Sequence, residues 1–154
     1  MRTPIESFIA DLPLAFPIAY PPDMRFSECQ CGECGEIRRD FEGLDWKSVP
    51  EAILKKHAWH IGLLGPSAIR YFFPAFLRSS VVHPDAMATE IIDELRPSGF
   101  TTSEVSKFTD DQRKMIIRYL DFFSSDDGEP SDEDPADKRW HKRWLKIRAR
   151  WAPE

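Results

Sequence analysis

The segment 66–80, PSAIRYFFPAFLRSS, constrains this chain more than any other. Wound at about 100° per residue, Ile69, Tyr71, Phe72, Phe73, Phe76 and Leu77 spread over about two thirds of a helix circumference. A helix that is apolar over so wide an arc cannot lie on a surface with one buried stripe. It has to be enclosed by other elements, so the segment predicts a central helix with Phe72, Phe73 and Phe76 buried. Pro74 cannot donate to the carbonyl of Arg70, which predicts a bend at that point.

The rest of the chain supplies helices to enclose it. Thr3-Pro4-Ile5-Glu6 has the form of a capping box with proline in the first turn, and this helix is expected to stop near Leu12, before Pro13. Phe16 to Phe26 reads as an extended arm set by prolines. Glu36 to Gly43 reads as a short helix closed by glycine. Ser48-Val49-Pro50-Glu51 reads as a second capping box opening a helix through His60. Pro84 opens another helix. Thr109 and Gln112 cap a helix over 110–123 that turns Met115, Ile116, Tyr119, Leu120 and Phe123 inward. No segment alternates with the period of a strand, and seven glycines leave no phosphate-binding loop. The expectation is an all-α fold: a compact single-domain bundle over 1–154, with six or seven helices and a proline-rich N-terminal arm.

Charge divides the C-terminal part. Residues 126–137 hold seven acids and no base, and residues 138–151 hold seven Lys or Arg and no acid. The first run, taken with its flank as 124–137, reads as an acidic flexible loop. The second reads as a basic amphipathic helix over 138–151. Its Trp140, Trp144, Ile147 and Trp151 fall within about 60° of arc. Such a stripe docks on its own core or fills a partner's groove, and Trp140, Arg143, Trp144 and Trp151 are the candidate partner-binding residues. The first alternative is the expected one.

All three cysteines lie within CQCGEC, residues 29–34. Cys31-Gly32-Glu33-Cys34 has the spacing of a zinc knuckle, in which two thiolates grip one ion and a following glycine frees the backbone. Cys29 is a candidate third ligand. His57, His60 or His83 is a candidate fourth, with His57 and His60 three apart on one predicted helix face. A redox pair and a plain packing turn are the alternatives. Zinc is therefore the one candidate cofactor. No serine sits in a nucleophile elbow, and the carboxylates form no distinctive pair, so no active site and no enzyme activity are expected.

The net charge of −5 argues against general nucleic-acid affinity. No apolar run approaches the ~18 residues of a membrane span, and the N-terminus lacks the pattern of a signal peptide. Membrane partners are not expected either. Three crowded thiols do not make a secreted disulfide framework, so the expected location is a reducing cytoplasm.

An ordered set of motifs runs along the chain: FPIAYPPD (16–23), CGECGEI (31–37), DWKSVPEAIL (45–54), LLGPSAIRYFFPAFL (63–77), FTDDQRKMIIRYLDF (108–122) and a late tryptophan-bearing helix. This set resembles an uncharacterised family of small bacterial proteins, a domain of unknown function. The family pattern carries glycine where this chain has Pro22. Its C-x-x-C falls on Cys31 and Cys34 and leaves Cys29 outside. The resemblance implies no activity, substrate or catalytic residue. The functional expectation is a protein-binding protein of inhibitor, immunity or adaptor type. The alternatives are a metal-binding or thiol-redox protein centred on Cys31 and Cys34, and a nucleic-acid or membrane-surface binder using the last helix.

Overall fold

Three threonines begin helices in the same way. Thr3, Thr101 and Thr109 each accept the backbone N–H three residues on, and Glu6, Glu104 and Gln112 each reach back to the threonine N–H. Two orphan donors are satisfied at each start, which fixes where the chain turns helical. The computed structural model describes residues 1–17, 19–27, 29–123 and 135–153. Among these the elements are α1 (Pro4–Ala15), α2 (Gly32–Phe41), α3 (Glu51–His57), α4 (Pro66–Val82), α5 (Pro84–Glu94), α6 (Thr102–Ser106), α7 (Asp110–Asp121) and α8 (Pro135–Trp151). Two 3₁₀ turns, Trp46–Ser48 and Ala58–Leu63, join them, and no strand is present among the described residues.

The predicted central helix is α4. Phe72, Phe73 and Phe76 are fully buried in it, with Ala68, Tyr71, Ala75 and Leu77 around them. Helices α1, α3 and α5 and both 3₁₀ turns pack on it. Helix α7 packs on α1, and α8 packs on α7. One polar bond ties these layers: the Tyr119 hydroxyl of α7 meets Ser80 Oγ of α4 at 2.7 Å, both side chains fully buried. Burial pushes the Tyr119 hydroxyl pKa well above its ordinary value, so it stays protonated.

Several boundaries differ from the sequence reading, each for a local reason. There are eight α-helices among the described residues, not six or seven. The additional one is α6, whose Thr101–Glu104 capping box is present in the sequence but is followed by too few apolar residues to register as periodic. Helix α1 runs through Pro13 to Ala15. Phe8, Leu12 and Phe16 lie at spacings of four and form one buried stripe, and Phe16 N–H still reaches Leu12 O at 3.0 Å. Burying Phe16 is worth about 1.5–3 kcal/mol, which works against the one bond Pro13 forfeits near the helix end. Helix α4 runs through Pro74, as the sequence reading has it. Helix α3 is not opened by a capping box: its N-cap is Pro50, and Ser48 belongs to a 3₁₀ turn. It ends at His57, and the tighter turn that follows buries Ala58 and Ile61.

The C-terminal helix docks. Trp151 is fully buried between Phe100 and Phe108, edge-on to both at 5.4 and 5.1 Å, and its indole donates to Leu95 O at 2.8 Å. Trp144 is buried and donates to Leu120 O at 3.2 Å. Arg150 donates to the carbonyls of Leu95 and Phe100, and Arg148 pairs with Asp121 at 2.9 Å. Helix α8 begins at Pro135 rather than 138, so 135–137 belong to it. The remainder of the expected acidic loop, 124–134, lies outside the described residues.

The arm from Phe16 to Phe26 is held at two points, by the first 3₁₀ turn and by the start of α4. Trp46 Nε1 donates to Pro17 O at 2.8 Å. At the other end, Gly65 N–H donates to Phe26 O and Arg25 N–H to Ser67 Oγ. A Cβ on Gly65 would stand 2.7 Å from Arg25 O, so only glycine lets the arm pass over the start of α4. This crossing delivers the chain to the cysteines.

Two substitutions test the packing. Phe73→Ala and Trp151→Ala should each destabilise by about 3–5 kcal/mol. Thermal melting of both variants checks this, and a Trp151→Ala protein that melts within a degree or two of the parent would show that α8 is not docked.

Candidate metal centre

Beyond Phe26 the arm turns into α2 through the cysteines. Cys31 is the N-cap of α2, with extended φ and ψ of −70° and 166°, and its sulfur accepts the Cys34 N–H at 3.4 Å. A sulfur does here what a hydroxyl or carboxylate does at most helix starts. Cys34 lies in the first turn, on the same stripe as Ile37 and Phe41, and that stripe is buried in the core. Cys34 is therefore 3% exposed, while Cys29 and Cys31 are exposed.

Ser27 and the sulfurs bind one another. Ser27 Oγ donates to Cys34 Sγ at 3.1 Å and accepts Cys29 N–H at 3.1 Å. Cys31 N–H donates to Cys29 Sγ at 3.3 Å, and the Cys31 and Cys34 sulfurs are 3.2 Å apart. All three sulfurs lie within 4.8 Å of one another. Sulfurs on a tetrahedral zinc at about 2.3 Å stand about 3.8 Å apart, so the cluster brackets the spacing a zinc ion imposes.

The two thiols of the C-x-x-C titrate apart. The Cys29 thiol, then the Cys34 N–H, donate to the Cys31 sulfur, which lowers its pKa to about 7. At Cys34 the largest single influence, donation from Ser27, is a lowering one. The Cys31 sulfur, burial and Cys29 together outweigh it, and the pKa rises to about 11.

A cavity of about 570 Å³ opens beside the cluster. All three cysteines line it, together with Tyr20 and Met24 of the arm, Arg25, and Arg38 from the next turn of α2. Its volume is that of a small-molecule site. Arg38 pairs across α2 with Glu42 at 3.4 Å, an exposed pair.

The histidines do not join the cysteines. His57 is buried, its Nε2 2.6 Å from Asp40 Oδ2 and its ring on Phe41 at 5.5 Å. Hydrogen bonding from His57, then from Lys56, holds the Asp40 carboxyl below its ordinary pKa. His60 lies next to His57, with ring centroids 6.1 Å apart, and His83 Nε2 stands 3.7 Å from Glu51 Oε2. Glu51 also accepts from the buried Ser79 hydroxyl. His57 meets Asp40, and neither His57 nor His60 is grouped with the three thiols as a possible metal ligand among the described residues. The expected fourth side-chain ligand is absent among the described residues.

The candidate partner-binding residues also move. Trp144 and Trp151 belong to the core, and Trp140 is half-buried against it. Arg143 alone of the four is exposed, on a shallow cleft with Arg96, Lys146 and Ile147. Among the described residues, no helix is long and apolar enough to cross a membrane.

Sequence reasoning missed Ser27, whose hydroxyl bonds to the Cys34 sulfur and to the Cys29 N–H. Its signal was only its place two residues before Cys29. It also missed the cavity, because Arg25 and Arg38 come from opposite sides of the motif.

No curated protein and no solved structure matches the chain. A family model does match, over residues 30–149, and takes in Cys31, Cys34 and the whole of α4 while leaving Cys29 just outside. With more than half of its length matched, this chain belongs to the family of unknown function DUF6714.

Proposed function

We propose that the protein binds a soft metal ion, zinc foremost, through Cys29, Cys31 and Cys34. The observation that carries this reading is the mutual approach of three sulfurs within 4.8 Å on one short loop. Thiolates select zinc or copper(I) over hard cations, and a zinc ion takes four ligands. Three protein ligands leave one position for a water or an outside donor, supplied from the solvent side where Cys29 and Cys31 are exposed. Protein binding through the tryptophan stripe is the weaker reading, since two of its three indoles are already spent on the core.

Zinc binding should strengthen as pH rises. Each ligating thiol must lose its proton, and the ion takes the deprotonated form. Cys31, at about 7, is half ionised at neutral pH, whereas Cys34, at about 11, still holds its proton. Binding at pH 7 thus displaces protons, and affinity should climb about tenfold per pH unit for each proton displaced.

The test is a zinc titration of the full chain after chelation, with cobalt(II) absorption as a second probe. One equivalent should bind and raise the melting temperature. Cys31→Ser should lower affinity about a hundredfold or more, since a few of the roughly 10–16 kcal/mol of a structural site go with each ligand. A chelated chain that takes up no zinc and whose melting is indifferent to the metal would sink the reading.

A further inference from the structure

The same loop places a nucleophile, a resolving thiol and a cavity in line, and this arrangement does not depend on a metal. Cys31 is exposed, and the Cys34 amide is aimed at its sulfur at 3.4 Å. A backbone donor there stabilises a thiolate and a departing sulfur alike. Cys34 also borders the cavity but is only 3% exposed, and its sulfur lies 3.2 Å from that of Cys31. Cys31 is thus placed as its mixed-disulfide partner at the start of the same helix.

The cavity gives the incoming molecule its character. At about 570 Å³ it holds a small molecule, with Tyr20 and Met24 as apolar wall and Arg25 and Arg38 as cations. Glu42 also lines it and pairs with Arg38 at 3.4 Å, while Arg25 makes no ion pair among the described residues. Arg25 is thus the cation that remains for a ligand carboxylate.

We propose that the metal-free chain exchanges disulfide with a small carboxylate-bearing disulfide seated in this cavity, Cys31 attacking and Cys34 resolving. The Cys31 thiolate attacks one sulfur of the disulfide RSSR. A Cys31–SR bond forms, the S–S bond breaks, and RS⁻ leaves and takes a proton from water. Cys34 then gives its proton to water and attacks the Cys31 sulfur, and the second RS⁻ leaves and is protonated. Two protein thiols become one disulfide, and one RSSR becomes two RSH. Zinc on the same sulfurs blocks the first attack, so the loaded chain is protected.

The test uses the full chain, chelated, with oxidised glutathione as the anionic probe and cystamine as the cationic one, read by intact mass and peptide mapping. The wild type should lose two hydrogens and carry a Cys31–Cys34 bridge. Cys34→Ser should stop at a single glutathione adduct on Cys31, and acid-quenching the wild type early should trap the same adduct if that variant folds poorly. Arg25→Gln should slow reaction with oxidised glutathione about threefold, the worth of one charge a few ångströms off in a wet site, and leave cystamine unslowed. No adduct and no bridge in the wild type would overturn the proposal. So would an adduct that forms at Cys29 just as fast in Cys31→Ser. Equal slowing with both probes would overturn the role of Arg25 in selecting the anion. Zinc uptake by the same sample is measured separately, so failure of the exchange and failure of the metal reading are told apart.

Discussion

The enclosure of α4 is the constraint from which the other elements take their places. A helix with phenylalanines at 72, 73 and 76 and a tyrosine at 71 has no face to give to water. It requires neighbours on every side, and it gets them from α1, α3, α5 and the two 3₁₀ turns. These in turn have apolar backs to cover, which α7 and α8 do through Tyr119, Leu120, Trp144 and Trp151. Each burial of a large ring is worth about 1.5–3 kcal/mol, set against about 1–2 kcal/mol of backbone entropy for every residue ordered. The margin is thin, so the aromatic contacts have to be well made rather than merely numerous. The edge-on trio of Phe100, Phe108 and Trp151 is the clearest instance, and it ties the last helix to the loop between α5 and α7.

The same enclosure positions the cysteines. The arm crosses the start of α4 at Gly65 and Ser67, and α2 packs Ile37 and Phe41 inward, with the Phe41 ring 4.9 Å from that of Phe72. The loop from Ser27 to Cys34 is therefore fixed at both ends to the central helix. Among the described residues its side-chain hydrogen bonds run through sulfur and through Ser27. Cys34 shares the buried stripe of α2, whereas Cys31 caps the helix and faces out. One helix start thus makes two chemically different thiols from identical side chains.

Much of this was legible in the sequence, and the lapses have physical causes. Capping chemistry is local, so Thr3, Thr109 and Pro84 mark true helix starts. The width of the apolar arc on 66–80 is a property of one helix, so its burial could be read without neighbours. Boundaries failed where long-range packing overrode a local stop: Pro13 reads as a terminator until Phe16 is seen to be buried. The surroundings of the histidines were hidden for a related reason. Spacing puts His57 and His60 three apart, but it does not show that His57 meets Asp40 from α2. The tryptophan stripe was ambiguous because docking and recognition use the same pattern, and only the presence of Phe100, Phe108 and the Leu95 carbonyl opposite Trp151 decides between them.

Cys29 carries the largest consequence for the least sequence signal. The family match begins at residue 30 and therefore takes in a dithiol, Cys31 and Cys34, at a helix start. Two sulfurs at that spacing suffice for disulfide chemistry and are too few to hold zinc alone. Cys29 lies before α2 and makes its contacts through its own N–H to Ser27 and through its sulfur to Cys31 N–H. A third thiol makes a cluster able to coordinate a metal ion, beside the cavity that all three cysteines line. It also adds a donor to the Cys31 sulfur, the largest of the influences that lower its pKa. A single residue outside the matched region thus bears on both proposed chemistries, which call on the same pair of sulfurs. Under those proposals the metal decides between them, because an ion held by Cys29, Cys31 and Cys34 would take the attacking thiolate out of reach of any disulfide.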